Sequence, residues 1–169
     1  MGSINKKEKP ENITNNHPRT AIIICTLTLF YCTLFASESP EKRGEKTGII
    51  LKGKALNIEI VDSCEKRKKG LMGRTDLGKN EGMLFVYDDS AIRHFWMKDT
   101  FIPLDIAFMD RDMVIGSVVS TRTVNDTTII YSSSFPARYV LEVNRGWFEH
   151  NGVGRGDTMK WTKTGKVPR

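Results

Sequence analysis

The residue types that could bind or transform a ligand are densest between Phe95 and Asp110. In this run an indole, an ammonium and a carboxylate, those of Trp96, Lys98 and Asp105, stand among bulky apolar side chains. A plain β-core does not need these three groups so close together, because charged side chains are rarely buried without partners. The run therefore indicates either a binding pocket or an unusually polar part of the scaffold.

Two predicted strands would position the acidic groups. Leu104–Met109 is the clearest strand pattern, and its alternation places Asp105 on one face of the sheet. Arg138–Val143 predicts a second strand, in which Arg138 and Glu142 share a face. If the Trp96 segment is extended as well, polar groups from three strands would converge on one concavity.

This convergence defines the predicted site. Its ligand-binding residues are Arg74, Trp96, Lys98, Asp105, Arg138 and Glu142. An indole wall beside paired charges suits a small polar or glycan ligand, and binding without catalysis is the preferred interpretation. An alternative is a cell-envelope hydrolase, with Asp105 and Glu142 as acid and base if their pKa values differ enough. A third interpretation is a structural or protein-interaction module, in which the charges pair with arginine or backbone groups.

Metal and cofactor sites are not predicted. Met72, Met83, Met97, Met109 and Met113 lie on separate elements without a paired spacing that would favour Cu(I). The histidines His94 and His150 are too far apart in sequence to indicate zinc. Cys64 has no neighbouring base, so we expect a half-buried structural thiol. A glycine-rich phosphate loop is lacking, and no cofactor is expected.

The N-terminal part of the chain differs in composition from the rest. Residues 21–36 form an apolar run without a charge, after a segment that carries four basic side chains. This pattern is typical of a signal peptide or an N-terminal anchor, so we expect export, with the domain in the periplasm, outside the cell or anchored at the outer face of the inner membrane. The predicted organisation is a leader (1–36), a polar linker (37–46) and one domain (47–169). Cys25 and Cys32 fall in the leader, which leaves the domain a single cysteine.

The net charge of the chain limits the classes of binding partner that we expect. The chain has a net charge of +6, and without residues 1–36 the net charge is +4. That excess is mild and lacks a basic stripe interleaved with aromatics, so nucleic acid is not an expected partner. The densest basic run is Lys66–Lys69. The preferred interpretation is a solvated helix face, and the alternative is a surface that contacts an anionic partner. Membrane contact is expected only through the N-terminal segment, and no oligomeric state is predicted.

Many short strand patterns with few helical ones predict a mostly β fold. The expected architecture is a single-domain sandwich or partly closed barrel or jelly roll with one or two short helices. One helix is expected at Cys64–Met72, with the oxygens of Asp62 and Ser63 as N-caps and with Cys64, the Lys68 stem and Leu71 facing inward. A second short helix is expected at Asn144–Asn151, with Trp147 and Phe148 docking it on the sheet. The polar segment 121–134 is either a strand pair or a long loop.

Several blocks in fixed order carry a family resemblance. They are Gly70–Arg74, Glu81–Phe85, Phe95–Thr100, Pro103–Phe108 and Pro136–Val143, followed by Gly146-Trp147 and Gly156-Asp157. Together they closely resemble the DUF192 (UPF0127) family over roughly 58–159. The resemblance implies a small, mostly β, often exported domain, and it implies no established activity. Asp99 stands where the family usually has Asn, and the segment 121–134 lacks the proline- and cysteine-containing pattern of many relatives.

Overall fold

A computed structural model describes residues 46–163 of the chain. The predicted leader, with Cys25 and Cys32, and nearly all of the predicted linker lie outside the described residues. Within 46–163 the chain forms nine strands and two short helices. In chain order these are β1 (Lys46–Leu51), β2 (Lys54–Val61), α1 (Cys64–Lys69), β3 (Glu81–Ala91), β4 (His94–Phe95), β5 (Leu104–Met109), β6 (Ile115–Ser120), β7 (Tyr131–Ser132), β8 (Ala137–Asn144), α2 (Trp147–Asn151) and β9 (Met159–Trp161).

Seven of the strands form one curled sheet in the order β6-β5-β8-β3-β2-β1-β9, and β4 pairs with β7 in a separate ribbon. The prediction of a mostly β, partly closed architecture is therefore confirmed. Of the strand pairs in this sheet, only β2 and β3 run parallel. A parallel pair needs a crossover connection, and the crossover here, residues 62–80, contains α1.

Apolar side chains cover both faces of the sheet. All six residues of β5 are buried, as expected for a central strand that has a core on each side. The first core contains Ala107 and Met109 of β5 together with α2. The second contains Ile106 and Phe108 of β5 together with Leu71, which follows α1.

Helix α1 begins as predicted but ends early. The Ser63 hydroxyl caps it by accepting a hydrogen bond from the Lys66 amide at 3.3 Å. The helix stops at Lys69 because Gly70 adopts a positive φ of 49°, so the predicted extension to Met72 is wrong. The predicted inward stripe is also wrong in part, because Cys64 and Lys68 are both exposed.

The second helix forms where it was expected but is shorter, because β8 continues to Asn144 and the helix begins at Trp147. Trp147 and Phe148 are buried, and their rings meet edge to face with centroids 5.3 Å apart. These two aromatics dock α2 on the sheet face opposite to the second core. The segment 121–134 is mostly loop, with β7 as its only strand. Leu104 donates a backbone hydrogen bond to Thr121 Oγ1 at 2.9 Å, which ties the start of this loop to β5.

Candidate functional site

A cleft of about 670 Å³ opens between α1, the second half of β3 and the segment around β4. It exists because the β2–β3 crossover carries α1 over the same sheet face that the Arg93–Trp96 segment borders. Aromatic, basic and acidic side chains all contribute to the lining of the cleft. They include Arg67, Lys68 and Lys69 of α1, Tyr87 and Asp89 of β3, Arg93, His94 and Trp96, together with Cys64, Phe85, Phe95, Thr100 and Glu142.

Glu142 is the one lining residue that β8 contributes. Its cross-strand partners are Met83 of β3 and Ile106 of β5, so its side chain lies on the face of the second core. The residue is 5% exposed. Among residues 46–163 no hydrogen bond or ion pair reaches its carboxyl group, and burial alone raises its pKa from 4.5 to about 8. At neutral pH the carboxyl is therefore protonated, and it can donate a hydrogen bond into the cleft.

Tyr87 forms part of the wall beside two arginines. The guanidinium carbons of Arg67 and Arg93 lie 4.8 and 3.7 Å from the centroid of its ring. Burial raises the pKa of Tyr87, and the two guanidinium groups oppose that rise. The phenol therefore stays neutral across the physiological range, so this wall is aromatic and cationic.

Arg93 is held by several hydrogen bonds. Its Nε donates to the Ala137 carbonyl at 3.0 Å, and its Nη2 donates to Asp89 Oδ1 at 2.7 Å. The hydrogen bond from Arg93 lowers the pKa of Asp89. Asp89 and Arg93 therefore form an ion pair within the cleft lining, and their charges cancel each other there.

Trp96 presents its indole to the cleft and to solvent. Its side chain is 47% exposed, whereas the neighbours Phe95 and Met97 are buried. Phe95 fixes the segment by packing edge to face on Phe85 and Phe108, at centroid distances of 4.9 and 5.9 Å. The alternation of buried and exposed residues keeps the indole on the outside, where a ligand can stack on it.

Asp105 does not belong to this cleft. It pairs with Val143, one residue beyond Glu142, and successive residues of a strand point to opposite faces. The carboxylate accepts hydrogen bonds from Ser120 Oγ at 2.6 Å and from the Gly146 amide at 2.8 Å. Asp105 thus ties β5 to β6 and to the residue that precedes α2. The predicted concavity that contained both acids is not formed.

The predicted supporting cations are also placed elsewhere. Arg74 pairs with Glu59 at 2.7 Å, with both side chains nearly buried. The Lys98 ammonium lies 2.6 Å from the Asp99 carboxylate on the surface. Arg138 donates to the Tyr87 carbonyl at 3.2 Å and does not line the cleft. Of the six predicted ligand-binding residues, the structure brings Trp96 and Glu142 together in one cleft. Whether any of the six binds a ligand stays a prediction.

Sequence reasoning missed the cations that do line the cleft. The run Lys66–Lys69 has the pattern of a solvated helix face, yet three of its four residues line the cleft. Arg93 and His94 carried a usable signal, because they directly precede Phe95 and Trp96 in the densest polar and aromatic run. Cys64, expected to be half-buried, is exposed at the cleft.

Residues 46–163 contain no group of three or more His, Cys, Asp or Glu side chains arranged to hold a metal ion. The buried methionines of residues 46–163 are divided between the cores, with Met109 and Met159 in the first and Met83 and Met97 in the second. Neither helix in this part of the chain has the length and apolar character needed to cross a membrane.

The sequence and the fold are both similar to those of known proteins. Residues 48–161 match DUF192, a family described as "Uncharacterized ACR". None of the curated proteins matches the chain. A crystal structure from Sinorhizobium meliloti 1021, titled as a "putative transcription regulator", is similar at 31% identity and a TM-score of 0.66, covering 72% of this chain and 97% of that one. A protein of unknown function from Novosphingobium aromaticivorans DSM 12444 is similar at 30% identity and a TM-score of 0.67, covering 73% and 90%. The match over 48–161 and the similarity to these structures show that the chain belongs to the DUF192 family.

Proposed function

We propose that this domain binds a polar, carbohydrate-like ligand in the cleft between α1 and β4. Trp96 would stack on an apolar face of the ligand, and Glu142 would donate a hydrogen bond to one of its oxygens. The observation that carries the proposal is the Glu142 carboxyl, which is nearly buried, lacks a hydrogen-bond partner among the described residues and borders a cleft of about 670 Å³. That volume is in the range of small-molecule sites.

An unpartnered buried polar group is costly, by about 1–3 kcal/mol for a neutral group. A ligand hydroxyl next to Glu142 would remove that cost, because it can accept the carboxyl proton. A flat indole 47% exposed at the same cleft supplies the apolar contact that a sugar ring requires. The two groups thus support recognition of a ligand that is polar at its edge and apolar on its face.

The hydrolase alternative is less well supported. Hydrolysis by paired carboxylates requires both acids to flank one glycosidic bond, with roughly 5–10 Å between them. Asp105 and Glu142 point to opposite faces of the sheet, and Asp105 already accepts hydrogen bonds from Ser120 and Gly146. The geometry therefore favours binding over a reaction that uses this pair.

We also propose that the cleft functions outside the cytoplasm. The apolar run 21–36 after a basic segment supports export, and the polar residues that follow it are typical of a linker. Fractionation of cells that express the full chain with a C-terminal tag tests this proposal. Recovery of the tagged chain in the cytoplasmic fraction alone would contradict export.

A ligand panel tests the binding proposal. Thermal shifts of the wild-type protein are measured with neutral and charged saccharides, and the compounds that bind are repeated with Trp96→Ala. Phe101→Ala is the matched control, because Phe101 is an aromatic of similar exposure, 46%, that does not line the cleft. We expect the shift to disappear in Trp96→Ala and to persist in Phe101→Ala. A panel without any binder, or equal shifts in both variants, would refute the proposal.

A further inference from the structure

Three basic residues of the cleft lie together on α1, and their position indicates which chemical class of ligand the cleft selects. We propose that the ligand carries an anionic oxygen group, a carboxylate or a phosphate, which lies against the Arg67–Lys69 side of α1 while the rest of the ligand lies between Trp96 and Glu142. This inference rests on the proposed function and specifies the chemistry that the same cleft selects.

Basic side chains outnumber acidic ones in the lining of the cleft. Arg67, Lys68 and Lys69 all line the cleft. The lining acids are Asp89 and Glu142, and Asp89 is already paired with Arg93 at 2.7 Å. Asp89 also interacts electrostatically with Arg67, so Glu142 is the lining acid that remains to face Lys68.

Glu142 does not neutralise these cations. Glu142 is 5% exposed, and its carboxyl makes no ion pair with a described residue. Since burial favours the protonated form, the group is neutral near pH 7 and would not repel an anion. An unpartnered, nearly buried polar side chain that borders the cleft is a second observation, independent of the basic helix, that points to a ligand.

Lys68 is the most informative cation of the three. Arg67 is committed to the protein, because it donates hydrogen bonds to the carbonyls of Asp62 and Val86 and contacts the ring of Tyr87. Lys68 is exposed and makes no ion pair or hydrogen bond through its side chain with the described residues. Its ammonium is therefore available to a ligand anion without the loss of an existing contact.

Helix α1 also offers a matched control. Lys66 is exposed like Lys68 but does not line the cleft, and its ammonium lies 3.4 Å from Asp62. Lys66→Gln and Lys68→Gln remove the same charge from the same helix, so their global electrostatic effects are nearly equal. A difference between the two variants therefore reports on the cleft.

Pairs of ligands with similar shape, one acidic and one neutral, separate the effect of ligand charge from the effect of ligand shape. Binding of tri-galacturonate is compared with binding of its fully methyl-esterified form, and glucose 6-phosphate is compared with glucose, by calorimetry on the wild-type protein. The first pair tests a carboxylate, and the second tests a phosphate. We expect at least one acid to bind about five-fold or more tightly than its neutral partner, with an affinity that falls as salt is added. Lys68→Gln should lower the affinity for that acidic probe by about five-fold, and Lys66→Gln should leave this affinity unchanged.

The outcomes distinguish the two proposals. If the neutral probes bind as tightly as the acids and Trp96→Ala abolishes that binding, the anionic inference fails and the proposed function stands. Equal effects of Lys66→Gln and Lys68→Gln also overturn the inference. If neither acids nor neutral probes bind, or if Trp96→Ala leaves all binding unchanged, the proposed function and the inference fail together.

Discussion

Asp105 and Glu142 lie on the neighbouring strands β5 and β8 and point to opposite faces of the same sheet. The register causes this separation, because Asp105 pairs with Val143 and Glu142 pairs with Ile106. The environments of the two acids differ accordingly. Asp105 accepts two hydrogen bonds from the protein, whereas Glu142 has none with the described residues and borders the cleft. One acid therefore stabilises the fold, and the other is available to a ligand.

Replacement of Asp105 should reduce stability without affecting the cleft. Asp105→Asn retains the volume but removes the charge that strengthens both hydrogen bonds, and its amide nitrogen cannot accept from the Gly146 N–H, so we expect a loss of about 1–2 kcal/mol in the free energy of unfolding. Urea unfolding measures this loss. Ser120→Ala, which removes one donor, should cost less. An Asp105→Asn protein of wild-type stability that no longer binds the saccharide probes would contradict this structural role.

Glu142 should make stability depend on pH. Its pKa is raised in the folded state from 4.5 to about 8, so the folded protein holds a proton that the unfolded chain releases between these values. This stabilisation is fully present below about pH 4.5 and is lost as the pH rises through 8. In that window the wild-type protein should lose about 1 kcal/mol per pH unit relative to Glu142→Gln.

Subtraction of the Glu142→Gln curve removes the contribution of the other titrating groups. The remaining titratable groups of the cleft are Cys64, Arg67, Lys68, Lys69, Tyr87, Asp89, Arg93 and His94, and they are common to both proteins. Urea unfolding at several pH values between 5 and 9 supplies both curves. Parallel curves for the two proteins would show that Glu142 does not carry a raised pKa.

Gly82 should tolerate no side chain, because β3 and β8 approach each other closely there. A Cβ at Gly82 would lie 2.7 Å from the backbone carbonyl oxygen of Glu142, so the strands would have to separate. We expect Gly82→Ala to cost about 1–3 kcal/mol, measured as a lower midpoint of thermal unfolding. Gly154→Ala is the control, since a Cβ at that position meets no atom within 4 Å. Equal midpoints for the two variants would refute the close packing.

Arg93 should control the titration of Asp89. The hydrogen bond from Arg93 lowers the pKa of this carboxyl, so Arg93→Gln should raise the pKa toward its ordinary value. A carbon-13 NMR titration of the aspartate carboxyls measures the change. Arg111→Gln removes the same charge far along the sequence, at a side chain that lies 3.8 Å from Asp112, and should leave Asp89 unchanged. An unchanged Asp89 titration in Arg93→Gln would show that the ion pair does not persist in solution.

Much of the fold follows from local sequence patterns. Leu104–Met109 was predicted as a strand with the bounds that the structure shows, because a run of bulky residues ends at a polar turn. The Ser63 cap and the aromatic anchor of α2 also depend on near neighbours in the chain. The end of α1 was missed, because it depends on the positive φ of Gly70, which the sequence allows but does not require.

The site was less predictable, because it depends on the pairing of strands distant in sequence. Alternation correctly separated the faces of each strand, but the relative position of Asp105 and Glu142 depends on the β5–β8 register, and a shift by one residue reverses it. The basic face of α1 became part of the site through the parallel β2–β3 pair, whose crossover places the helix over the sheet. Local patterns do not encode that long-range pairing.

The proposed role of Glu142 depends on the protonation state of its carboxyl group, which can be measured without knowledge of the ligand. A carbon-13 NMR titration of the glutamate side chains, with the Glu142 signal assigned from its absence in Glu142→Gln, gives that pKa directly. We expect a midpoint near pH 8, which would show a carboxyl that is protonated and able to donate a hydrogen bond at neutral pH. A midpoint near 4.5 would show a solvated or ion-paired carboxylate, and it would contradict the proposed role of Glu142 in the cleft.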